Sequence, residues 1–299
     1  MKNEVVRIGS RGSKLALWQA HYFESLLDGL DRSHSLTIIK TQGDKIQNLG
    51  FDKLEGKGFF TKEIEDALLA NEIDVAIHSM KDLPTTQPKG LVIGGISNRA
   101  NPCDLLIIKK SRYTKENTLK ISVNGVIGTS SIRRKVLLSH FQSNVQFKDI
   151  RGNVPTRLQK LRDDEELDAI VLAAAGIERL EIDLAEFEVI ELNPKEFPSA
   201  PAQGVLAYQC REDDIPMRRL LKSLNSRDTL STVKVERKIL KLMDGGCQLP
   251  LGAYCYSDHS NSFHCHAAFS KGINEPVKMV KLSQSTVANL AERVVEKLK

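Results

Sequence analysis

The chain has 299 residues, 41% hydrophobic and 27% charged, the profile of a soluble globular protein of two or three domains that needs no disulfide or metal for its core. Its five cysteines are odd in number and form no C-x-x-C pair, which argues against a disulfide framework and a zinc site and for a reducing compartment. A net charge of +5 suits an anionic ligand, while an aromatic content of 5% and the lack of any nucleic-acid motif argue against DNA or RNA.

Met1–Glu4 leads straight into a strand-like Val5–Ile8 with no apolar leader. The longest apolar run, near Ala169–Ile177, is too short to span a bilayer. The expectation is a cytoplasmic protein with no membrane partner. Ser13 is placed to cap a helix carrying Leu15, Trp18, Tyr22 and Leu26 at helical spacing. Leu36–Lys40 reads as a strand, Lys53–Phe60 as a glycine- and lysine-bearing loop, and Thr61 as the cap of a helix to Leu69.

Asp74-Val75-Ala76-Ile77 then opens a buried strand that ends in Lys81-Asp82, and Pro84 stops any regular element. Ligands of open α/β sheets sit beyond the carboxyl ends of the strands, which puts Asp82 where chemistry is done. A plain surface turn fits this segment equally well.

The same grammar returns. Val126-Ile127 is a strand end, Gly128–Ser131 a loop and Ile132–Phe141 a helix. Val145–Ile150 is a strand, and Pro155 suits the first turn of a helix to Arg162. Asp168–Ala173 is a further strand. Ile8-Gly9-Ser10 echoes Ile127-Gly128-Thr129, and Glu72–Ile77 echoes Glu166–Val171. The alternation predicts parallel α/β layers in two similar lobes. Pro194–Cys210 looks like a crossover. Arg218–Leu224 and Ser231–Met243 read as helices, Tyr254–Ala268 as hairpin-like and Thr286–Leu298 as a closing helix.

Loops bearing Arg11 and Ser13, then Thr129, Ser131, Arg133 and Arg134, then Arg151 and Arg157, stand at helix starts, where free N–H groups attract anions. Arginine forks hold carboxylates in bidentate fashion. Any one of these arginines alone reads as a solvated surface residue; their repeated placement after strands favours anion binding. Gly245-Gly246-Cys247-Gln248-Leu249-Pro250 allows close approach of a ligand to a thiol. A lone cysteine is more often a small buried residue than a nucleophile.

Taken together, Arg7–Arg11, Leu15–Ala20, Thr41 with Gly43-Asp44, Gly56–Gly58, His78–Pro84, Gly128–Arg134, Arg151–Asn153, Ala175–Ile177 and Gly245–Gly252 closely resemble the porphobilinogen deaminase (hydroxymethylbilane synthase) family over essentially the whole length. The resemblance implies an α/β fold with two similar bilobal, binding-protein-like α/β domains around a cleft, residues 1–98 with 200–222 and residues 99–199. A small C-terminal α+β domain, 223–299, would carry the cofactor cysteine. It implies a transferase that condenses four porphobilinogen molecules head to tail, with loss of ammonia, into hydroxymethylbilane for porphyrin and heme biosynthesis. Elongation would start from a dipyrromethane joined by thioether to Cys247.

By the same resemblance, Asp82 is the catalytic carboxylate. Lys81, Thr129, Ser131, Arg133, Arg134, Arg151 and Gln203 would bind the cofactor, and Arg11, Ser13, Arg157, Arg179, Lys53, Lys57 and Phe60 the substrate. No metal is expected. A monomer is implied, with its product passed to uroporphyrinogen-III synthase. Two departures stand out: Ala202-Gln203-Gly204 where the family commonly has Gly-Gln-Gly, which puts the hinge geometry in question, and Gln42 at an often basic position. The rival classes are a non-enzymatic two-lobed anion-binding module and a basic nucleic-acid binder.

Overall fold

The computed structural model describes residues 5–42, 61–244 and 249–299. In chain order its strands are β1 (Val6–Ser10), β2 (His34–Ile38), β3 (Val75–Ser79), β4 (Leu91–Ile96), β5 (Asp104–Lys109), β6 (Val126–Gly128), β7 (Gln146–Lys148), β8 (Ala169–Ala173), β9 (Phe187–Leu192), β10 (Leu206–Arg211), β11 (Leu251–Ser257), β12 (Phe263–Phe269) and β13 (Lys278–Gln284). They form three sheets. The chain divides into a first unit, residues 1–100 with 205–230, and a second, residues 101–204 with 231–299. No described helix is long and apolar enough to cross a membrane.

The first unit holds a sheet of order β2-β1-β3-β10-β4. Its central strand β3 is buried nearly throughout, as its continuous apolar run requires. The helix Lys14–Asp28 buries Ala20, Phe23 and Leu27, spaced by three and four, and Phe23 and Leu27 join one core cluster. Ser13 caps it as expected, its Oγ accepting from the Ala16 N–H at 3.2 Å. The helix Lys62–Leu69 supplies Ile64 and Leu68 to another core cluster, with Ile73 and Ala76. Thr61 does not cap it: among the described residues its buried Oγ1 has no hydrogen-bond partner, and its φ of −123° and ψ of −22° lie outside cap geometry.

The second unit repeats this plan in the order β7-β6-β8-β5-β9. The repeat extends to single atoms. The Asp74 N–H donates to the Arg7 carbonyl, and the Arg7 N–H donates back to the Asp74 carboxylate at 3.0 Å. Asp168 and Val126 make the same reciprocal pair, with the Val126 N–H to Asp168 Oδ2 at 2.8 Å. The glycine two residues further on packs closely against an isoleucine side chain in both places. A Cβ at Gly9 would collide with Ile73, and one at Gly128 would lie 2.9 Å from Ile170 Cγ2.

Wholly parallel layers do not form. β2, β1 and β3 are parallel, as are β7, β6 and β8, but β10 and β5 run antiparallel to both of their neighbours. Each of these two is the first strand the chain makes on entering its unit from the other. Arriving without a crossover helix, it is free to add in the opposite sense.

The third sheet, β11-β12-β13, is antiparallel and packs with the helix Leu290–Leu298 and with Val235 and Ile239 around its own core. The expected hairpin is β11–β12; the third strand, β13, escapes the sequence reading because only Val280 in it is fully buried. The preceding helix, Arg227–Leu242, starts four residues before the expected Ser231. The crossover contains a left-handed turn: Ala202 has φ of 66° and Gly204 φ of 86°. Alanine therefore adopts the backbone geometry that glycine favours. The Ala202 N–H donates to Glu236 Oε2 at 2.7 Å, and Glu236 Oε1 accepts from the Cys255 N–H at 2.7 Å.

Candidate active site

In each unit the predicted site residues gather at the carboxyl ends of the parallel strands, where side chains and helix N-termini face outward from the sheet. In the first unit β1 runs into Arg11 and Ser13, and β3 into a 3₁₀ turn, Met80–Asp82. Met80 and Leu83 are buried and anchor this turn, while Asp82 is exposed and Lys81 half-buried. The Met80 N–H donates to the Val205 carbonyl at 2.9 Å. On the approach, Gln19 Nε2 donates to Ser79 Oγ at 3.0 Å.

Behind the turn lies a buried polar network that the sequence reading did not find. Gln209 is fully buried; its Nε2 donates to Glu65 Oε1 at 3.1 Å and to Gln87 Oε1 at 2.9 Å. Its Oε1 faces His78 Nε2 at 3.2 Å. Both amide hydrogens are spent on acceptors, so His78 Nε2 carries the proton of that bond. Burial pushes the His78 pKa down to about 4, the Gln209 hydrogen bond opposes this, and the nearby Arg11 charge adds to the lowering.

In the second unit β6 leads into Thr129–Ser131, β7 towards Arg151, and β8 into the helix Ala174–Arg179. Arg133 and Arg134 are not the exposed forks that each would be if read alone; both are buried. Arg133 donates to Asp104 Oδ2 at 2.8 Å and to the Pro198 carbonyl at 3.1 Å. Arg134 donates to Asp104 Oδ1 at 2.6 Å and to the Val171 carbonyl at 2.9 Å. Burial alone would push the Asp104 carboxyl up; the two guanidiniums outweigh it and hold it well below the usual carboxylate range.

Gln203 Nε2 donates to the same Asp104 at 3.0 Å and to the Pro102 carbonyl at 2.9 Å, and Arg179 donates to the Gly204 carbonyl at 2.8 Å. Thr129 Oγ1 accepts from the Ser131 N–H at 3.2 Å. Arg157 Nε donates to the Gly152 carbonyl at 2.8 Å, beside the half-buried Arg151.

Among the described residues this cluster sets two buried cations against one carboxylate, and Arg134 Nε is buried there without a hydrogen-bond partner. An uncompensated buried charge is costly. The arrangement therefore fits a multiply charged carboxylic acid as its further partner. Asp104 could have been found from sequence, because it heads an apolar strand, Asp104–Ile108, just as Asp74 and Asp168 do. Lys53, Lys57, Phe60 and Cys247 lie outside the described residues. No group of His, Cys, Asp and Glu suited to a metal ion occurs among the described residues.

A family model described as "Porphobilinogen deaminase, dipyromethane cofactor binding domain" matches residues 6–219. Among similar curated proteins, the porphobilinogen deaminase of Synechococcus elongatus is 43% identical over 250 residues, covering 83% of this chain and 77% of the relative. That of Desulforamulus reducens is 41% identical over 256 residues, covering 85% and 80%. That of Fusobacterium nucleatum is 43% identical over 258 residues, covering 85% and 84%.

Proposed function

Because the chain belongs to the porphobilinogen deaminase family, we propose that Asp82 is its catalytic carboxylate and Cys247 the attachment point of its dipyrromethane. The activity is the head-to-tail condensation of four porphobilinogen molecules, with release of ammonia, to the linear tetrapyrrole hydroxymethylbilane in porphyrin biosynthesis. When bound, the dipyrromethane supplies the pyrrole carbon on which the chain is built.

The observation that carries the site assignment is the excess positive charge of Arg133 and Arg134 over Asp104. Each pyrrole bears two carboxylates, and a charge-assisted hydrogen bond contributes about 1.5–3 kcal/mol net. Arg133, Arg134, Arg151, Thr129, Ser131, Lys81 and Gln203 hold the cofactor. Arg11, Ser13, Arg157, Arg179, Lys53, Lys57 and Phe60 receive the incoming pyrrole.

Asp82 stands exposed beyond β3. As the amine of porphobilinogen departs, positive charge spreads through the ring onto the pyrrole N–H. A carboxylate already fixed opposite that N–H stabilises the developing charge without reorganising. It can also take up the ring proton lost when the new carbon–carbon bond is complete, a general-base role that contributes typically about 10²–10⁴-fold.

The chain acts as a cytoplasmic monomer of three domains, 1–98 with 200–222, 99–199 and 223–299, the last holding Cys247. Its product passes to uroporphyrinogen-III synthase. The test is intact mass with peptide mapping, together with Asp82→Asn. The expected result is a two-pyrrole adduct on Cys247 in both proteins, with turnover nearly abolished in the variant. Near-normal turnover in Asp82→Asn would sink the catalytic assignment. A Cys247 that stays unmodified after incubation with porphobilinogen would favour a binding module.

A further inference from the structure

The exposed Asp82 carboxylate has no burial of its own to set its place, so its position follows the turn that carries it, which buried Met80 and Leu83 anchor and hydrogen bonds fasten on each side. On the amino side the fastenings include the Gln19–Ser79 and Met80–Val205 bonds. On the carboxyl side, Gln87 Nε2 donates to the Pro84 carbonyl at 2.8 Å, two residues past Asp82. Gln87 is held in turn by the Gln209 amide at 2.9 Å.

We propose that Gln209 and Gln87 act in series as positioning residues for Asp82, the buried amide of one orienting the other so that it clamps the turn at Pro84. The inference rests on the assignment of Asp82 as the catalytic carboxylate.

The orientation of every group in the series is dictated by its ends. Pro84 O and the Glu65 carboxylate can only accept, so Gln87 Nε2 must face Pro84 and Gln209 Nε2 must face Glu65. That turns Gln87 Oε1 towards Gln209 and Gln209 Oε1 towards His78, which donates. The series joins the β3 histidine, the Lys62–Leu69 helix, β10 and the loop after Asp82 through one buried residue. A satisfied buried network of this kind has one arrangement. A displacement of about 1 Å at a reacting group can cost on the order of 100-fold in rate.

The experiment compares Gln87→Met, Gln87→Glu, Gln209→Met, the double methionine variant and Asp82→Asn as holoenzymes, with cofactor content checked by intact mass. Gln87 is half-buried, so its variants test the series even where Gln209→Met unfolds. Gln87→Met is expected to lower kcat about tenfold or more while KM for porphobilinogen stays within about threefold. Gln87→Glu keeps an acceptor for Gln209 but has no N–H for Pro84, and is expected to fall equally far. Because the two residues act in series, the double variant is expected to lose no more than the worse single variant.

A Gln87→Met enzyme with kcat within twofold of the parent overturns the proposal, as do losses that multiply in the double variant. If Asp82→Asn is dead while Gln87→Met is fully active, this inference alone falls. If Asp82→Asn keeps near-normal turnover, the catalytic assignment and this inference fall together.

Discussion

Ala202 shows how a single backbone angle separates what residue types reveal from what they leave open. Its place beside Gln203 and Gly204 was legible, and so was the question raised by an alanine there. The answer needed the structure: φ of 66° with the side chain fully buried. An L-residue in the left-handed region is disfavoured by roughly 1–2 kcal/mol, while glycine loses about 0.4–1 kcal/mol through the entropy of its unfolded chain. Ala202→Gly is therefore expected to stabilise the protein by about 0.5–1 kcal/mol, read as a higher denaturation midpoint at constant slope. A lower midpoint would mean that the buried methyl contributes more by packing than the backbone loses by strain. Asp104 teaches the complementary lesson. Its identity is plain in the sequence, but its two arginine partners lie 29 and 30 residues away, and no local pattern pairs them.

At the scale of elements, helices were read best because their signals are local. The helix Ile132–Phe141 was delimited to the residue, and Pro155 marks the first turn of Val154–Asp163 in both sequence and structure, with Asn153 found as its cap in the structure. The sense of β5 and β10 was not legible, since strand direction is set by where the chain comes from rather than by composition. The β3 element also carries a pH signature. His78 is buried neutral, with its pKa pushed down to about 4 from 6.5. Below pH 6.5 the unfolded chain takes up a proton at this site while the folded protein does not. Stability is therefore complete above that value and falls as the pH drops from about 6.5 towards 4. Depressing the His78 pKa from 6.5 to about 4 corresponds to a loss on the order of 3 kcal/mol across the window. His78→Gln keeps an N–H for Gln209 and cannot titrate. Its melting temperature should decline less steeply than the parent's between pH 6.5 and 4.5; parallel curves would show that other groups govern that window.

At the scale of the whole molecule, the two-fold repetition was legible because it is written in short segments, Ile-Gly-Ser against Ile-Gly-Thr and two aspartate-led strands, and the paired Asp74–Arg7 and Asp168–Val126 bonds give those echoes a physical cause. The cysteine count was legible too, and the structure turns it into a test of the cofactor assignment. Cys103, Cys210, Cys255 and Cys265 are all buried thiols outside any disulfide. Burial pushes the Cys103 thiol up to about 12 and the Cys210 thiol up to about 11. The hydrogen bond shared with its cross-strand neighbour Cys255, with burial, raises Cys265 as well. Thiols this far from solvent react slowly with a disulfide reagent such as dithiobis-nitrobenzoate. The folded protein should therefore show almost no fast-reacting thiol if Cys247 is held as a thioether. Denaturant separates the cases by integer counting, because unfolding exposes every thiol but does not cleave a thioether. Four reactive thiols out of five cysteines would place the modification on Cys247 by elimination, provided the four buried residues all appear on unfolding. Five would mean that the fifth cysteine carries nothing, and the covalent-cofactor assignment for that preparation would fall.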